Sequence, residues 1–175
     1  MNLANKITVF RIALVPLYLV LLLQLTVTAD YIATGIFVLA SLSDALDGYI
    51  ARARGLVTNF GKFFDPLADK LLVCSALIAM TYLGRFPLWG IILIVARELT
   101  ITAFREVAAA RGVIIAADKL GKLKAFAQMF TVVCLTFPMV SYNHPAIRLL
   151  AWFAVAITLL SGATYIRKNL HVLKD

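Results

Sequence analysis

The sequence has few charged residues and very few cysteines or histidines. Charged side chains make up 15% of its 175 residues, while 62% are hydrophobic. A soluble domain usually has about 25% charged residues, so the composition excludes an ordinary soluble protein. Cys74 and Cys134 lie in apolar segments without a CxxC spacing and give no signal for a disulfide or a metal site. His144 and His171 are expected to be ordinary surface residues.

Acidic residues are scarcer than basic ones. There are nine Asp and Glu against 17 Lys and Arg, and the formal net charge is +8. In a soluble protein this excess would suggest a nucleic-acid partner. In a membrane protein, basic loops and contacts to anionic lipid or phosphate explain it better. We therefore expect membrane lipid, and no nucleic acid, among the partners.

Apolar runs of about 20 residues, the length needed to cross a bilayer, recur along the chain. They predict an all-α integral membrane bundle with a single domain over residues 1–175. Its six transmembrane helices are expected at roughly 8–27, 32–53, 62–83, 87–108, 122–140 and 146–166. Breaks rich in turn-forming residues are expected at 26–30, 55–61, 84–87, 111–121 and 141–145. Because no cleavage site stands out, the first run is expected to be a retained helix.

Lys and Arg are unevenly distributed among the predicted loops. If the N-terminus is inside, the inner segments hold nearly all of them, and the outer loops hold only Arg85 and Arg148. This asymmetry predicts that both termini are cytoplasmic. It also predicts that the end of helix two and the start of helix three lie near the cytoplasmic face, within reach of both a soluble substrate and a lipid.

Four aspartates lie in or beside the second and third predicted helices. Asp44 and Asp47 are spaced i,i+3, whereas Asp65 and Asp69 are spaced i,i+4, so each pair shares a helix face. A carboxylate at bilayer depth costs about 2.5–3.5 kcal/mol. Four of them therefore indicate a function, and carboxylates that repel one another are typical of a divalent-cation site.

Fixed spacings join the two aspartate pairs into one pattern. The pattern is Asp44-x2-Asp47-Gly48-x2-Ala51-Arg52-x8-Gly61-x3-Asp65-x3-Asp69. It resembles the complete signature of the CDP-alcohol phosphotransferase family, and no position departs from that signature. Eight fixed residues over 26 positions make the resemblance highly specific.

The resemblance implies roles for these residues. Two Mg²⁺ or Mn²⁺ ions would be held by Asp44, Asp47, Asp65 and Asp69 and would clamp the diphosphate of a CDP-lipid. Asp69 would also be the general base that deprotonates the acceptor alcohol. The residues implied to bind the CDP-lipid are Asn5, Thr8, Gly48, Ala51, Arg52, Thr58 and Gly61. Their chemistry agrees, since Gly48 and Ala51 are small and Arg52 carries a charge suited to phosphate.

Two further elements resemble the phosphatidylglycerophosphate synthase branch of that family. The first is Asn5-x2-Thr8-x2-Arg11, for which a plain helix N-cap is the alternative. The second comprises Ala96-Arg97-Glu98-Leu99, Arg105 and Leu120-Gly121-Lys122-Leu123-Lys124. Arg97, Arg105 and Lys122 would form a cationic pocket for the phosphate of an acceptor. Alternatively, Glu98 or an aspartate balances Arg97, and Lys122 is a membrane anchor, as we expect for Lys124.

The resemblance implies a multi-pass, homodimeric enzyme of a bacterial plasma membrane. It would transfer a phosphatidyl group from CDP-diacylglycerol to glycerol 3-phosphate and release CMP. Another acceptor, namely phosphatidylglycerol, an inositol phosphate or serine, is an alternative. A divalent-cation transporter is a second alternative, against which stand the position of the aspartates at one face and the lack of an inverted repeat. Lys70, which follows Asp69, has no assigned role.

Overall fold

The computed structural model describes the backbone of residues 3–54, 59–113, 115, 118–140 and 142–173. Within these ranges the side chains of residues 3–5, 44–54, 59–63, 65, 66, 171 and 173 are outside the description. The described residues form six α-helices and no strand, which confirms the all-α prediction for them. The helices are α1 (Leu3–Leu22), α2 (Val27–Arg54), α3 (Asn59–Tyr82), α4 (Leu88–Ala110), α5 (Lys119–Thr136) and α6 (Pro145–Lys168), followed by a 3₁₀ helix (Leu170–Leu173).

The first break differs from the prediction. The α1 helix starts at residue 3 rather than 8 and ends at residue 22 rather than 27, so the predicted break at 26–30 was wrong. The turn uses Leu25 in a left-handed conformation (φ 55°). The hydroxyl of Thr26 then accepts a hydrogen bond from the backbone N–H of Ala29 at 3.2 Å, as an N-cap does. Asp30 therefore lies in the first turn of α2, where the helix dipole favours a carboxylate.

The helices pack into one bundle. The α1 helix packs against α2 and α3, while α6 packs against α4 and α5. Contacts of α3 with α4 and α5, and of α2 with α5, join these groups. The largest buried apolar cluster runs through this junction and includes Tyr18, Phe37, Leu72, Met80 and Ile94. The bundle therefore encloses a core to which helices from both groups contribute.

The surface and the interior have the distribution of polarity expected in lipid. Large apolar side chains such as Leu39, Trp89 and Phe126 are exposed. Polar side chains are buried between the helices, where Tyr18 and Thr136 share a hydrogen bond of 2.8 Å and Gln128 donates to Thr158 at 2.9 Å. Pairing polar groups inside the bundle avoids the cost of leaving them unsatisfied.

One helix among the described residues, α6, is long and apolar enough by itself to cross a membrane. A shorter apolar stretch covers Val27–Ser43 in α2. The helices α2 to α5 each carry three or more ionisable residues in their sequences, which lowers their hydropathy. The six predicted helices are thus present, whereas their crossing of the membrane and the orientation of the termini stay predictions.

Candidate active site

The backbone places one aspartate pair on each of two helices, as predicted. Asp44 and Asp47 belong to α2, and Asp65 and Asp69 belong to α3. Among these four, only the side chain of Asp69 is described, and it is partly buried. Asp69 follows the first residue of α3 by ten positions, or about 15 Å along the helix axis. It therefore lies nearer the middle of α3 than the sequence prediction implied.

Most residues implied to bind metal or CDP-lipid fall outside what the structure describes. Thr58 is outside the described residues altogether. Those with an undescribed side chain are Asn5, Asp44, Asp47, Gly48, Ala51, Arg52, Gly61 and Asp65. Within the described part, no group of three or more His, Cys, Asp or Glu could hold a metal ion. Since three of the four predicted ligands lie outside that part, their assignment stays a prediction.

Asp69 lines a small pocket between α3, α4 and α5. The other lining residues are Lys70, Val73, Cys74, Glu98, Lys124, Ala125, Gln128 and Met129. Two lysines and one glutamate thus face the same space as the predicted general base. The pocket brings together Asp69 and Lys124, which are 55 positions apart in the sequence, and the spacing of the aspartate pattern could not indicate this.

Lys70 is held at this pocket by α4. Its ammonium group donates a hydrogen bond to the hydroxyl of Thr102, and that hydroxyl donates to the backbone carbonyl of Glu98 at 2.7 Å. Lys70 is also within electrostatic range of four charged side chains. They are those of Glu98, Lys124, Arg105 and Arg97. The structure therefore supplies a position for the lysine that sequence reasoning left without a role.

Lys124 is a pocket residue and not the surface anchor that the sequence predicted. Its Nζ lies 2.6 Å from Oε1 of Glu98, and its side chain is only 12% exposed. Lys122, by contrast, is exposed. Two positions on an α-helix differ by about 200°, so the two lysines point to opposite sides of α5. The prediction for Lys124 was wrong because α5 starts at Lys119 and turns this side chain inward.

Arg97 is engaged on both sides of its guanidinium group. Nη1 lies 3.1 Å from Oε1 of Glu98, and Nη2 donates to Oγ of Ser161 in α6 at 2.9 Å. The alternative in which Glu98 balances Arg97 is therefore what the structure contains. We call Glu98, Arg97 and Lys124 the Glu98 cluster. Both cations contact the same oxygen of Glu98, so the cluster contains two positive charges and one negative charge.

Arg105 lies two turns further along α4, and Tyr165 fixes the orientation of its exposed side chain. Its Nε donates to the hydroxyl of Tyr165 at 3.0 Å, and its guanidinium carbon lies 5.2 Å from the ring centroid of that tyrosine. This distance is within the range of a cation–π contact. Arg105 therefore stands beside the Glu98 cluster without belonging to it.

The Asn5–Thr8–Arg11 element lies inside a helix rather than ahead of one. Because α1 already starts at Leu3, the N-cap alternative for Asn5 and Thr8 was wrong. Thr8 and Arg11 are both almost fully buried, at 0% and 1% exposure. Being spaced i,i+3, they share the face of α1 that packs into the bundle. Their predicted part in binding CDP-lipid is not tested by this burial.

Glu98 and Lys70 are the residues whose positions the sequence did not resolve. A glutamate in an apolar helix is a signal by itself, since Glu is rarely buried unless it is paired. The sequence contains that signal at Glu98, but several basic residues are possible partners. A contact from α5 selects Lys124 among them, and Arg97, the neighbour of Glu98 in α4, is the second partner.

Known proteins resemble this chain along almost its whole length. A sequence profile described as CDP-alcohol phosphatidyltransferase matches residues 1–160. A Bacillus subtilis protein named CDP-diacylglycerol–glycerol-3-phosphate 3-phosphatidyltransferase is 43% identical, over 99% of this chain and 97% of the relative. A Mycobacterium tuberculosis protein named probable phosphatidylglycerophosphate synthase is 38% identical, over 97% and 82%. A Rickettsia typhi protein with the same name as the first is 36% identical, over 95% and 96%. The chain belongs to the CDP-alcohol phosphatidyltransferase family.

Proposed function

We propose that this protein transfers a phosphatidyl group from CDP-diacylglycerol to glycerol 3-phosphate, giving phosphatidylglycerophosphate and CMP. Relatives that match almost the whole chain bear names that state this reaction or its product. The aspartate pattern and its spacing support the same chemistry. The acceptor follows from the charge of the pocket that Asp69 lines.

The observation that carries the proposal is the shared pocket of Asp69, Lys70 and Lys124. A carboxylate suited to take a proton from a hydroxyl lies beside two ammonium groups suited to a phosphate. Arg97 and Arg105 add positive charge within electrostatic range of Lys70. An acceptor with both a hydroxyl and a phosphate, such as glycerol 3-phosphate, matches this combination. Serine offers no phosphate to these cations.

Lys124 replaces Lys122 in our assignment of the acceptor phosphate. Lys124 is turned into the pocket, whereas Lys122 is exposed on the other side of α5. Lys70 joins it, and Arg97 and Arg105 remain supporting cations. Arg97 is less available than expected because two of its nitrogens already have partners.

The proposed reaction is an in-line displacement at phosphorus. The acceptor hydroxyl oxygen forms a bond to the β-phosphorus of CDP-diacylglycerol, and the bond from that phosphorus to the oxygen of the departing CMP breaks. Asp69 accepts the hydroxyl proton. The all-carboxylate donor set of Asp44, Asp47, Asp65 and Asp69 suits hard divalent ions such as Mg²⁺ or Mn²⁺. Two such ions would neutralise phosphate charge. Asp69 would then both bind a metal ion and accept the proton.

The enzyme we propose is a multi-pass membrane protein of a bacterial cell. The exposed apolar side chains on its helices and the apolar α6 support this location. The loops at 23–26, 83–87 and 137–144 contain only Arg85 as a basic residue, and Arg148 lies just beyond them in α6. This asymmetry favours cytoplasmic termini. A homodimer remains part of the proposal.

The reaction is tested by measuring CMP released by purified protein from CDP-diacylglycerol. We expect release only with a divalent ion and glycerol 3-phosphate, and little with serine, an inositol phosphate or phosphatidylglycerol. Preferred use of one of these other acceptors would overturn the acceptor assignment. Uptake of metal into proteoliposomes without any release of CMP would instead indicate a transporter.

The acceptor pocket is tested by a matched pair of lysine substitutions. We expect Lys124→Gln to raise the KM for glycerol 3-phosphate about tenfold, the effect of losing one charge-assisted hydrogen bond. Lys122→Gln removes the same charge two residues away and should leave that KM within about twofold. The reverse order of effects would return the phosphate to Lys122.

A further inference from the structure

Glu98 is a buried carboxylate in the middle of α4, and it lines the same pocket as Asp69. Burial of a carboxylate costs several kcal/mol unless cations compensate it. Two cations do so here, since Nζ of Lys124 and Nη1 of Arg97 both reach its Oε1. Glu98 is thereby neutralised by its neighbours, which makes it a poor base for the reaction. Its contacts instead fix where those two cations lie.

Arg97 is held from the opposite side by α6. Its Nη2 donates to Ser161, and its aliphatic portion passes directly over Gly162. A Cβ added at Gly162 would lie 2.9 Å from Cγ of Arg97 and 3.2 Å from its Nε. Any side chain larger than hydrogen would therefore push Arg97 away. Gly162 serves here as a close-approach position that seats the arginine against α6.

The arrangement also explains why the carboxylate of Glu98 lies in a pocket that we propose binds a phosphate. Lys124, Arg97 and Arg105 all lie within electrostatic range of Lys70, and without a counter-charge they repel it. A lysine has three N–H donors, so Lys124 can bind Glu98 and still offer donors to the pocket. A carboxylate shared by two cations orients them without using up their hydrogen-bonding capacity.

We propose that Glu98 is a positioning residue that sets the affinity for the phosphorylated acceptor by holding Lys124 and Arg97. It acts through these cations and does not touch the reacting atoms. Gly162 and Ser161 of α6 hold Arg97 on the side opposite Glu98. This inference rests on the proposed function, because it specifies how that function's acceptor pocket is built.

The test is the KM for glycerol 3-phosphate in Glu98→Gln, measured beside the KM for CDP-diacylglycerol and kcat. We expect the first to rise about tenfold and the other two to change less than about threefold. Glu98→Asp keeps the charge and should recover part of the affinity. Glu106→Gln, an exposed glutamate two turns along the same helix, is the matched control and should behave like the wild type.

Two more variants separate positioning from general stability. Gly162→Ala leaves every charge in place but displaces Arg97, so we expect a smaller rise in the same KM, about threefold. If Glu98 acts through Lys124, adding Glu98→Gln to Lys124→Gln should raise that KM less than about threefold further. If Glu98→Gln does not fold, Gly162→Ala and Glu98→Asp carry the test.

The possible results distinguish failure of the positioning role from failure of the proposed function. An equal rise of both KM values, or a loss of kcat with unchanged KM, would overturn the positioning role. So would full multiplication of the Glu98 and Lys124 effects in the double variant. If the wild-type protein forms no product from glycerol 3-phosphate, the proposed function fails instead. An active wild type with an unaffected Glu98→Gln variant refutes this inference alone.

Discussion

Two carboxylates are buried among the side chains that the structure describes, and they differ in the number of cations around them. Asp30, at the start of α2, faces one cation: its Oδ2 lies 3.1 Å from Nη1 of Arg85. Glu98 contacts two cations and has a third, Lys70, within electrostatic range. Asp30 is 4% exposed and Glu98 is 7% exposed, so burial does not distinguish them. The difference lies in the balance of charge.

Asp30 and Arg85 form what we call the balanced pair, because one carboxylate faces one cation, and this pair is a structural contact. Arg85 bridges Asp30 of α2 and, at 3.5 Å, the backbone carbonyl of Leu135 in α5. It therefore ties the loop between α3 and α4 to two other helices. The other carboxylate oxygen of Asp30, Oδ1, has no hydrogen-bond partner among the described residues, which limits the net gain. Nothing in this pair calls for a ligand.

An unbalanced cluster is a candidate binding site. Keeping three cations beside one buried glutamate is unfavourable unless a further anion joins them. Glu98, Lys70 and Lys124 line a pocket that also holds Asp69. Charge balance therefore distinguishes the Asp30–Arg85 pair, which stabilises the fold, from the Glu98 cluster, which we assign to substrate binding.

The largest expected effect is on catalysis, at Asp69. Asp69→Asn keeps the size of the side chain but removes the proton acceptor. We expect turnover to fall by about 10²–10⁴-fold, the usual contribution of a general base. CMP release under saturating substrates measures it. Asp30→Asn, the same change at the balanced pair, should retain turnover in folded protein. Near-full activity in Asp69→Asn would refute the general-base assignment.

The next effect is on stability, at the balanced pair. Asp30→Asn leaves the charge of Arg85 without its partner. Breaking a buried pair costs about 3–5 kcal/mol, and we expect about 1–3 kcal/mol here because Arg85 is 28% exposed. Thermal or denaturant unfolding in detergent measures the loss. Asp30→Asn combined with Arg85→Gln should recover part of it, whereas full additivity of the two losses would contradict the pairing.

A smaller effect is expected at Arg105, beside the Glu98 cluster. Arg105→Gln should raise the KM for glycerol 3-phosphate about threefold to tenfold, less than the loss of a buried contact because Arg105 is exposed. Tyr165→Phe removes only the hydroxyl that orients Arg105 and should cost about twofold. Steady-state kinetics with varied acceptor checks both. An unchanged KM in Arg105→Gln would exclude Arg105 from the acceptor site.

The smallest effect is expected at a surface pair that joins the end of α6 to the start of α5. A hydrogen bond from Lys168 to Asp118, 3.0 Å long, lowers the pKa of Asp118 below its usual 3.8. A lowered carboxyl pKa stabilises the fold above the unfolded-state pKa, and this contribution is lost as the pH falls through the folded-state pKa. Asp118→Asn should thus lower the melting temperature by less than about 2 °C at pH 7.

The pH dependence provides the control for that variant. The difference between Asp118→Asn and the wild type should shrink as the pH approaches and passes below the pKa of Asp118. The Lys119 N–H can still be capped by the amide oxygen of Asn, so the helix start is preserved. A difference that stays constant down to low pH would show that the charge of Asp118 is not its source.

The sequence predicted the helices better than the pocket. Hydrophobic runs and turn residues located all six helices, and the one large error came from reading Asp30 as a loop residue instead of recognising Thr26 as an N-cap. The aspartate pattern, being local, was readable without a structure. Arg97 was readable as one possible partner of Glu98, but Lys124 was not, because that contact depends on where this residue of α5 lies beside α4. Lys122 and Lys124 illustrate the limit, since a shift in helix phase decides which one faces inward.

The comparison between the two buried carboxylates is tested most directly by the KM for glycerol 3-phosphate in two variants that each remove one cation. Lys124→Gln removes a cation from the Glu98 cluster, and Arg85→Gln removes the partner of Asp30. We expect this KM to rise about tenfold in Lys124→Gln and no more than about twofold in folded Arg85→Gln. An equal rise in both variants, or a rise in Arg85→Gln alone, would contradict this expectation.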